Sequence, residues 1–132
     1  RSFGHLPNSD TVIQKIYIRS ASIYNGKPMP CEEEKLARAR RTMIRVHLEG
    51  RGITNPRVLE AFRRVPRERF VPAKKLRDAY ADHPIPIGRG QTISQPYIVA
   101  LMIQELDVQP SDRVLDVGSG SGYETALLAG LS

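Results

Sequence analysis

The sequence contains few of the residues that build disulfides, metal clusters and base-stacking surfaces. It has one cysteine, Cys31, three histidines and no tryptophan, and 6% of its 132 residues are aromatic. A single cysteine excludes an internal disulfide and a cysteine-based metal cluster. The histidines, His5, His47 and His83, are scattered without the spacing of metal ligands. We therefore expect no metal site.

Long apolar runs are absent as well. No stretch approaches the roughly 20 apolar residues that cross a bilayer, and residues 1–5 do not resemble the start of a secretory signal. We expect a cytoplasmic protein with no membrane partner. Acidic residues are outnumbered, 14 against 20 lysines and arginines, so the net charge is +6. Such a charge favours nonspecific attraction to nucleic acid but predicts no specific nucleic-acid partner.

The most informative stretch is residues 114–123, where an apolar run ends in alternating glycines. Residues 114–117 favour a buried strand, and a tight turn follows it, with Gly118, Ser119, Gly120 and Gly122. Residues 124–128 are typical of a helix start. Glycine tolerates positive φ and leaves backbone amides open to a ligand, so this turn predicts a small-molecule site. A dinucleotide turn needs a small third residue where this sequence has Tyr123, which makes a nicotinamide-dependent oxidoreductase a poor fit.

The residues before this stretch are predicted to be mainly helical. One helix runs from Cys31 to the glycines at 50 and 52, with an apolar stripe of Leu36, Ala39, Met43, Ile44, Val46 and Leu48. Asn55 and Pro56 start a second helix with Val58, Ala61, Phe62 and Val65 on its buried side. Pro96 opens a third, whose predicted buried side is Ile98, Leu101, Met102 and Leu106. Residues 82–90 hold two prolines and two glycines, so we expect a loop without regular structure there.

These elements predict the α/β class, as the N-terminal part of a doubly wound, Rossmann-like domain preceded by small helices. Residues 1–30 are an unassigned extension with a weak strand pattern at 11–18. Residues 31–110 form a helical, substrate-side segment with an active-site loop at 82–97, and residues 111–132 begin the cofactor-binding domain. A parallel strand needs neighbours on both edges. We therefore expect a domain truncated after its first strand-loop-helix unit, which alone binds the cofactor poorly and is inactive.

Several motifs occur in the order and spacing of one enzyme family. Asp116 and the alternating glycines resemble motif I of class I S-adenosylmethionine-dependent methyltransferases. The segment from Gln91 to Tyr97, Gln-Thr-Ile-Ser-Gln-Pro-Tyr, is more specific. Together with the segments at 51–53, 58–62, 65–72, 79–80 and 84–88, it resembles protein-L-isoaspartate O-methyltransferase over about residues 36–132.

The resemblance implies methyl transfer from S-adenosyl-L-methionine to the free carboxylate of L-isoaspartyl residues in damaged proteins and peptides, by an enzyme that is monomeric when complete. Ser94 would be the catalytic hydroxyl, orienting the incoming carboxylate. The implied cofactor-binding residues are Gln91, Thr92, Ile93, Ser94, Asp116, Gly118, Ser119, Gly120 and Gly122. A carboxylate has a reference pKa of about 4, so it needs no general base at neutral pH.

Three alternatives remain open at this point. Ser94 or Thr92 could simply cap the helix that follows, a common role worth about 1 kcal/mol. The chain could be another class I methyltransferase, acting on RNA or a small molecule. It could also be a basic nucleic-acid-binding module that uses the arginines within 38–45 and 63–69, although that interpretation leaves the glycine turn unexplained.

Overall fold

The computed structural model describes residues 30–132, so the strand pattern at 11–18 lies outside the described residues. The regular elements in this range are helices α1 (Pro30–Thr42), α2 (Pro56–Arg64), α3 (Pro96–Leu106) and α4 (Tyr123–Ala129), with strands β1 (Ile85–Gly88) and β2 (Gln91–Ile93). A π-helical turn, Met43–Leu48, and 3-10 turns, Glu49–Arg51, Arg67–Phe70 and Ala73–Asp78, lie between them. The α/β class is therefore present as helices around a small antiparallel sheet. Over residues 30–132 no helix combines the length and apolar character needed to span a bilayer.

The start of α2 confirms the prediction made from Asn55 and Pro56. The Asn55 side chain accepts hydrogen bonds from the backbone N–H of Arg57, at 2.9 Å, and of Val58, at 3.4 Å. Proline occupies the first turn, where its missing N–H costs nothing. The predicted apolar side is buried in the main core, with Val58, Ala61, Phe62 and Val65 all at most 4% exposed.

The apolar stripe of α1 is confirmed except at Val46. Leu36, Met43, Ile44 and Leu48 are buried, and Ala39 packs partly against the core. Val46, by contrast, is 46% exposed. Val46 lies in the π-helical turn, where each turn holds more residues than in an α-helix, so the 3.6-residue spacing no longer predicts its face.

The predicted buried face of α3 is wrong. The buried residues are Pro96, Val99, Ala100 and Ile103, whereas three of the four predicted ones, Ile98, Met102 and Leu106, are 42%, 42% and 61% exposed. The helix is apolar on two sides, so periodicity could not choose between them. In the observed orientation, the Gln104 side-chain oxygen accepts the backbone N–H groups of Thr54, at 2.8 Å, and Asn55, at 3.0 Å.

The expectation that residues 82–90 lack regular structure is also wrong. Ile85 pairs with Ile93 and Pro86 with Thr92 in an antiparallel hairpin, with an irregularity between Pro86 and Gly88. Arg89 and Gly90, between the strands, both have positive φ, 51° and 71°, as in the tight turns that match strand twist. Proline is tolerated in β1 because a strand at the edge of a sheet can leave one N–H position unused.

The strand predicted over residues 114–117 is not formed. These residues have no regular structure, and Leu115 and Val117 are 85% and 84% exposed. A strand requires hydrogen-bonded neighbours. The sheet in residues 30–132 contains β1 and β2 alone, so it provides none at this position.

Candidate functional site

The hairpin delivers Ser94 to the start of α3. Ile85 and Ile93 face each other across the strands, and both are buried, at 1% and 4% exposure. Because side chains alternate along a strand, Thr92 and Ser94 on either side of Ile93 are exposed. Ile93, one of the residues expected to bind the cofactor, therefore directs its side chain into the core.

Ser94 does not cap the helix that follows it. The N-cap position of α3 is Gln95, and no side chain hydrogen-bonds the first turn there. Pro96 already removes one of the backbone donors that a cap would satisfy. The capping alternative for Ser94 and Thr92 is thus not realised, and the exposed Ser94 hydroxyl is not committed to the helix.

The backbone of Ser94 is held by a buried arginine that the sequence analysis did not single out. The Nη2 of Arg67 donates to the Ser94 carbonyl at 2.7 Å, and its Nε donates to the Ala79 carbonyl at 2.9 Å. Arg67 is 0% exposed. Burial lowers the pKa of Arg67 below its ordinary value. The one signal in the sequence is its position in a charged run, Arg67-Glu68-Arg69, that apolar residues flank on both sides.

A second cluster that sequence reasoning missed lies around Asp82. The Asp82 Oδ2 accepts hydrogen bonds from Arg51, at 2.7 Å, and from the side-chain amide of Gln95, at 2.9 Å. The Arg51 guanidinium also stacks over the ring of Tyr97, 3.5 Å from its centroid. Gln95 and Tyr97, the residues on both sides of Pro96, are thereby connected through Asp82 and Arg51 to the loop that precedes β1.

The glycine turn has the backbone conformation that the sequence predicts. Gly118, Gly120 and Gly122 have φ of 87°, 51° and 81°, all in the left-handed region that disfavours other residues. A Cβ on Gly118 would meet nothing within 4 Å, so the requirement there is backbone conformation rather than space. The N–H of Gly122 closes the turn on the Ser119 carbonyl at 2.7 Å.

Asp116 lies beside the first turn of α4. Its carboxylate accepts a hydrogen bond from the Thr125 hydroxyl. The pKa of Glu124 is raised above its ordinary value, mainly by burial and secondly by the negative charge of Asp116. This end of the turn is therefore acidic, which suits a positively charged ligand group and disfavours a pyrophosphate.

Tyr123 joins the glycine turn to the helical core. It is 1% exposed and packs edge-on against Phe62, with ring centroids 6.0 Å apart. The ring of Phe70 packs against it at a tilt, with centroids 5.4 Å apart. The guanidinium of Arg67 lies over the same ring, 4.9 Å from its centroid. A large buried ring thus occupies the place where a dinucleotide turn has a small residue.

The arginines considered for nucleic-acid binding are partly used inside the fold. Arg40 pairs with Glu68 at 2.9 Å and Arg63 pairs with Glu49 at 3.1 Å. Arg67 is inaccessible to any partner. Three of these arginines are thus engaged within the fold, whereas Arg38, Arg41, Arg45 and Arg64 are exposed. As for metals, residues 30–132 contain no group of three or more histidine, cysteine, aspartate or glutamate side chains that could hold an ion.

Two curated relatives match most of this chain at more than 50% identity. Protein-L-isoaspartate O-methyltransferase 2 of Marinobacter nauticus is 58% identical over 99 residues, which cover 75% of this chain and 45% of the relative. Protein-L-isoaspartate O-methyltransferase of Methanoregula boonei is 54% identical over 105 residues, 80% of this chain and 46% of the relative. The chain thus spans less than half the length of these relatives.

A sequence model of one family covers most of the chain. The family is described as protein-L-isoaspartate(D-aspartate) O-methyltransferase, and the match extends over residues 38–131. It therefore includes the hairpin, Ser94, Arg67 and the glycine turn. The chain belongs to the protein-L-isoaspartate(D-aspartate) O-methyltransferase family.

Proposed function

We propose that the full-length protein carrying this sequence transfers a methyl group from S-adenosyl-L-methionine to the free carboxylate of L-isoaspartyl residues in proteins and peptides. The observation that carries the proposal is the state of Ser94. Its hydroxyl is exposed and makes no cap bond to α3, while its carbonyl is fixed by Arg67. A hydroxyl on a fixed backbone can orient a substrate carboxylate.

The glycine turn supplies the second half of the proposed site. Left-handed glycines at 118, 120 and 122 leave the turn without side chains at those positions, and Asp116 adds a carboxylate beside α4. These features fit the methionyl end of S-adenosylmethionine, which carries an ammonium group and a cationic sulfonium. The cofactor, when bound, supplies an electrophilic methyl group. We also propose that residues 111–132 begin a Rossmann-like cofactor domain in the full-length protein.

Methyl transfer to a carboxylate needs little acid-base catalysis from the protein. A substrate carboxylate is ionised at neutral pH, since its reference pKa is about 4. One carboxylate oxygen forms the new O–CH3 bond while the S–CH3 bond breaks and its electron pair stays on sulfur. No proton moves in this step. The residues of this chain therefore need to align the carboxylate through Ser94 and to hold the cofactor at the glycine turn.

Ser94→Ala in the full-length protein tests the proposal. We expect kcat for an isoaspartyl peptide to fall by about a hundredfold, because orientation of the carboxylate is lost. The affinity for S-adenosylhomocysteine, measured by calorimetric titration, should change far less. Ser111→Ala is a matched control, since Ser111 is also exposed and lies before the glycine turn. It should leave both quantities unchanged.

Two results would contradict the proposal. Equal losses of kcat and of cofactor affinity in the Ser94 variant would indicate a purely structural role for its hydroxyl. Methylation of the normal aspartyl peptide of the same sequence, at the rate of the isoaspartyl one, would show that the substrate class is wrong.

A further inference from the structure

Arg67 is the one buried polar or charged residue in the part of the chain that the structure describes. Its two hydrogen bonds go to neutral carbonyls, those of Ala79 and Ser94, rather than to a carboxylate. Its Nη1 is buried without a hydrogen-bond partner. Taking a cation out of water costs several kcal/mol, and apolar replacements of buried ions are often neutral or stabilising. Stability alone is therefore a poor reason for an arginine at this position.

The contacts of Arg67 come from three separate parts of the fold. Nη2 reaches the Ser94 carbonyl, at the end of the hairpin. Nε reaches the Ala79 carbonyl, directly after the 3-10 turn Ala73–Asp78. The guanidinium also lies over the ring of Tyr123, the residue that follows Gly122, with its central carbon 4.9 Å from the ring centroid. One side chain thus contacts both halves of the proposed site.

The shape of the guanidinium is what allows this arrangement. Its donors form a rigid planar fork, so two carbonyl bonds and the contact with the Tyr123 ring restrain it from three parts of the fold at once. A lysine ammonium is a compact point charge on a flexible chain and cannot reproduce both carbonyl bonds with the stacking contact. The required property is therefore geometry in addition to charge.

We infer that Arg67 is a positioning residue, which sets the placement of Ser94 relative to the glycine turn through the Ser94 carbonyl and the Tyr123 ring. The inference rests on the proposed function, since it concerns the alignment of the hydroxyl with the cofactor. Arg67 does not touch the substrate in this view. Its loss should therefore act on the methyl-transfer step more than on cofactor binding.

The test compares Arg67→Lys and Arg67→Met with the unmodified full-length protein. Binding-competent sites are counted by titration with S-adenosylhomocysteine, and kcat is expressed per competent site. We expect kcat per site to fall roughly tenfold or more in both variants, because a misplacement of about 1 Å can cost a hundredfold in rate. The dissociation constant for S-adenosylhomocysteine should stay within about threefold, since both variants leave the turn glycines in place.

Arg40 offers a matched control, because it is another arginine held by several hydrogen bonds within the fold. Its side chain donates to the Tyr80 hydroxyl at 2.7 Å, to the Arg63 carbonyl at 3.0 Å and to Glu68 at 2.9 Å. Arg40→Lys therefore removes partly buried arginine contacts and none of the bonds that Arg67 makes to Ser94 and Ala79. It should lower the melting temperature but leave kcat per competent site within about twofold.

A double-mutant cycle separates positioning from general destabilisation. If Arg67 acts through Ser94, adding Arg67→Lys to Ser94→Ala should cost much less in kcat per site than adding it to the unmodified protein. Fully additive losses, or a kcat per site equal to that of the unmodified protein, would overturn the inference. Failure of the proposed function looks different, because the unmodified full-length protein would then not methylate the isoaspartyl peptide at all.

Discussion

The two halves of the proposed site differ in how completely this chain builds them. Around Ser94, the hairpin, α2 and α3 form a closed core in which Phe62, Val71 and Ala100 are 0% exposed. Around the glycine turn, the preceding apolar residues have no neighbours in a sheet, and Leu115 and Val117 are more than four-fifths exposed. The turn itself is nevertheless in its left-handed conformation.

This difference shows which features depend on local sequence and which depend on partners. A glycine turn is determined by the steric freedom of its own residues. A parallel strand depends on neighbours, because its backbone N–H and C=O groups must be paired when buried. On the Ser94 side, both the locally determined turn and the paired strands of the hairpin are formed. Residues 113–117 have a composition that favours a strand, but they form no strand pairing.

Phe62→Ala should give the largest effect and tests whether the Ser94 side is the stable core. Phe62 is 0% exposed and packs edge-on against Tyr123. Its truncation should lower the free energy of unfolding by about 3–5 kcal/mol, through lost burial and the cavity left behind. Urea denaturation of the 132-residue chain measures this. Leu115→Ala is the control, and an exposed side chain should change the free energy by less than about 0.5 kcal/mol.

The free energy of unfolding of Leu115→Ala should differ between the 132-residue chain and the full-length protein. There we propose that residues 114–117 join a sheet, so Leu115→Ala should cost about 2–5 kcal/mol, comparable to other buried leucines. If Leu115→Ala remains neutral in the full-length protein, the proposed strand is wrong. If it is already costly in the 132-residue chain, the contrast between the two halves does not hold.

Gly118→Ala tests whether the left-handed turn matters for ligand binding. Alanine at φ of 87° costs about 1–2 kcal/mol, and no neighbouring atom lies in the way of its Cβ. If the free turn of the variant relaxes out of this φ and the bound state requires it, the affinity of the full-length protein for S-adenosylhomocysteine should fall about tenfold, which corresponds to about 1.4 kcal/mol. Calorimetric titration measures the change.

Gly50→Ala is the control for Gly118→Ala. Gly50 is outside the left-handed region, and its added Cβ would lie 3.4 Å from the Arg45 carbonyl, close to ordinary contact. The affinity of the Gly50→Ala variant for S-adenosylhomocysteine should equal that of the unmodified protein. An unchanged affinity in Gly118→Ala would mean that the turn opens or rearranges around the ligand.

The sequence predicts those parts of the fold that single residues decide. The N-cap at Asn55, the helix starts at Pro56 and Pro96 and the left-handed glycines were all predicted from local chemistry. Features that depend on distant partners were not. The observed orientation of α3 includes a hydrogen bond from Asn55 to Gln104, which is 49 residues away along the chain.

The candidate site was likewise predicted only in part. Exposure of Thr92 and Ser94 agrees with their predicted roles, which stay predictions, whereas Ile93 lies in the core. Arg67 was missed because arginine side chains are mostly solvent-exposed. Its burial depends on the Ala79 and Ser94 carbonyls, which are 12 and 27 residues away along the chain. No local pattern carries that information.

Asn55→Ala gives the smallest expected effect and compares two polar residues that precede a helix. Asn55 accepts two backbone N–H groups of α2, whereas Ser94 accepts none from α3. Asn55→Ala should therefore lower the free energy of unfolding by about 1 kcal/mol. Ser94→Ala should change it by less than about 0.5 kcal/mol. Urea denaturation of both variants measures the difference. If Ser94→Ala cost as much as Asn55→Ala, its hydroxyl would be stabilising the helix after all, and a loss of methyl transfer in that variant could no longer be assigned to substrate orientation.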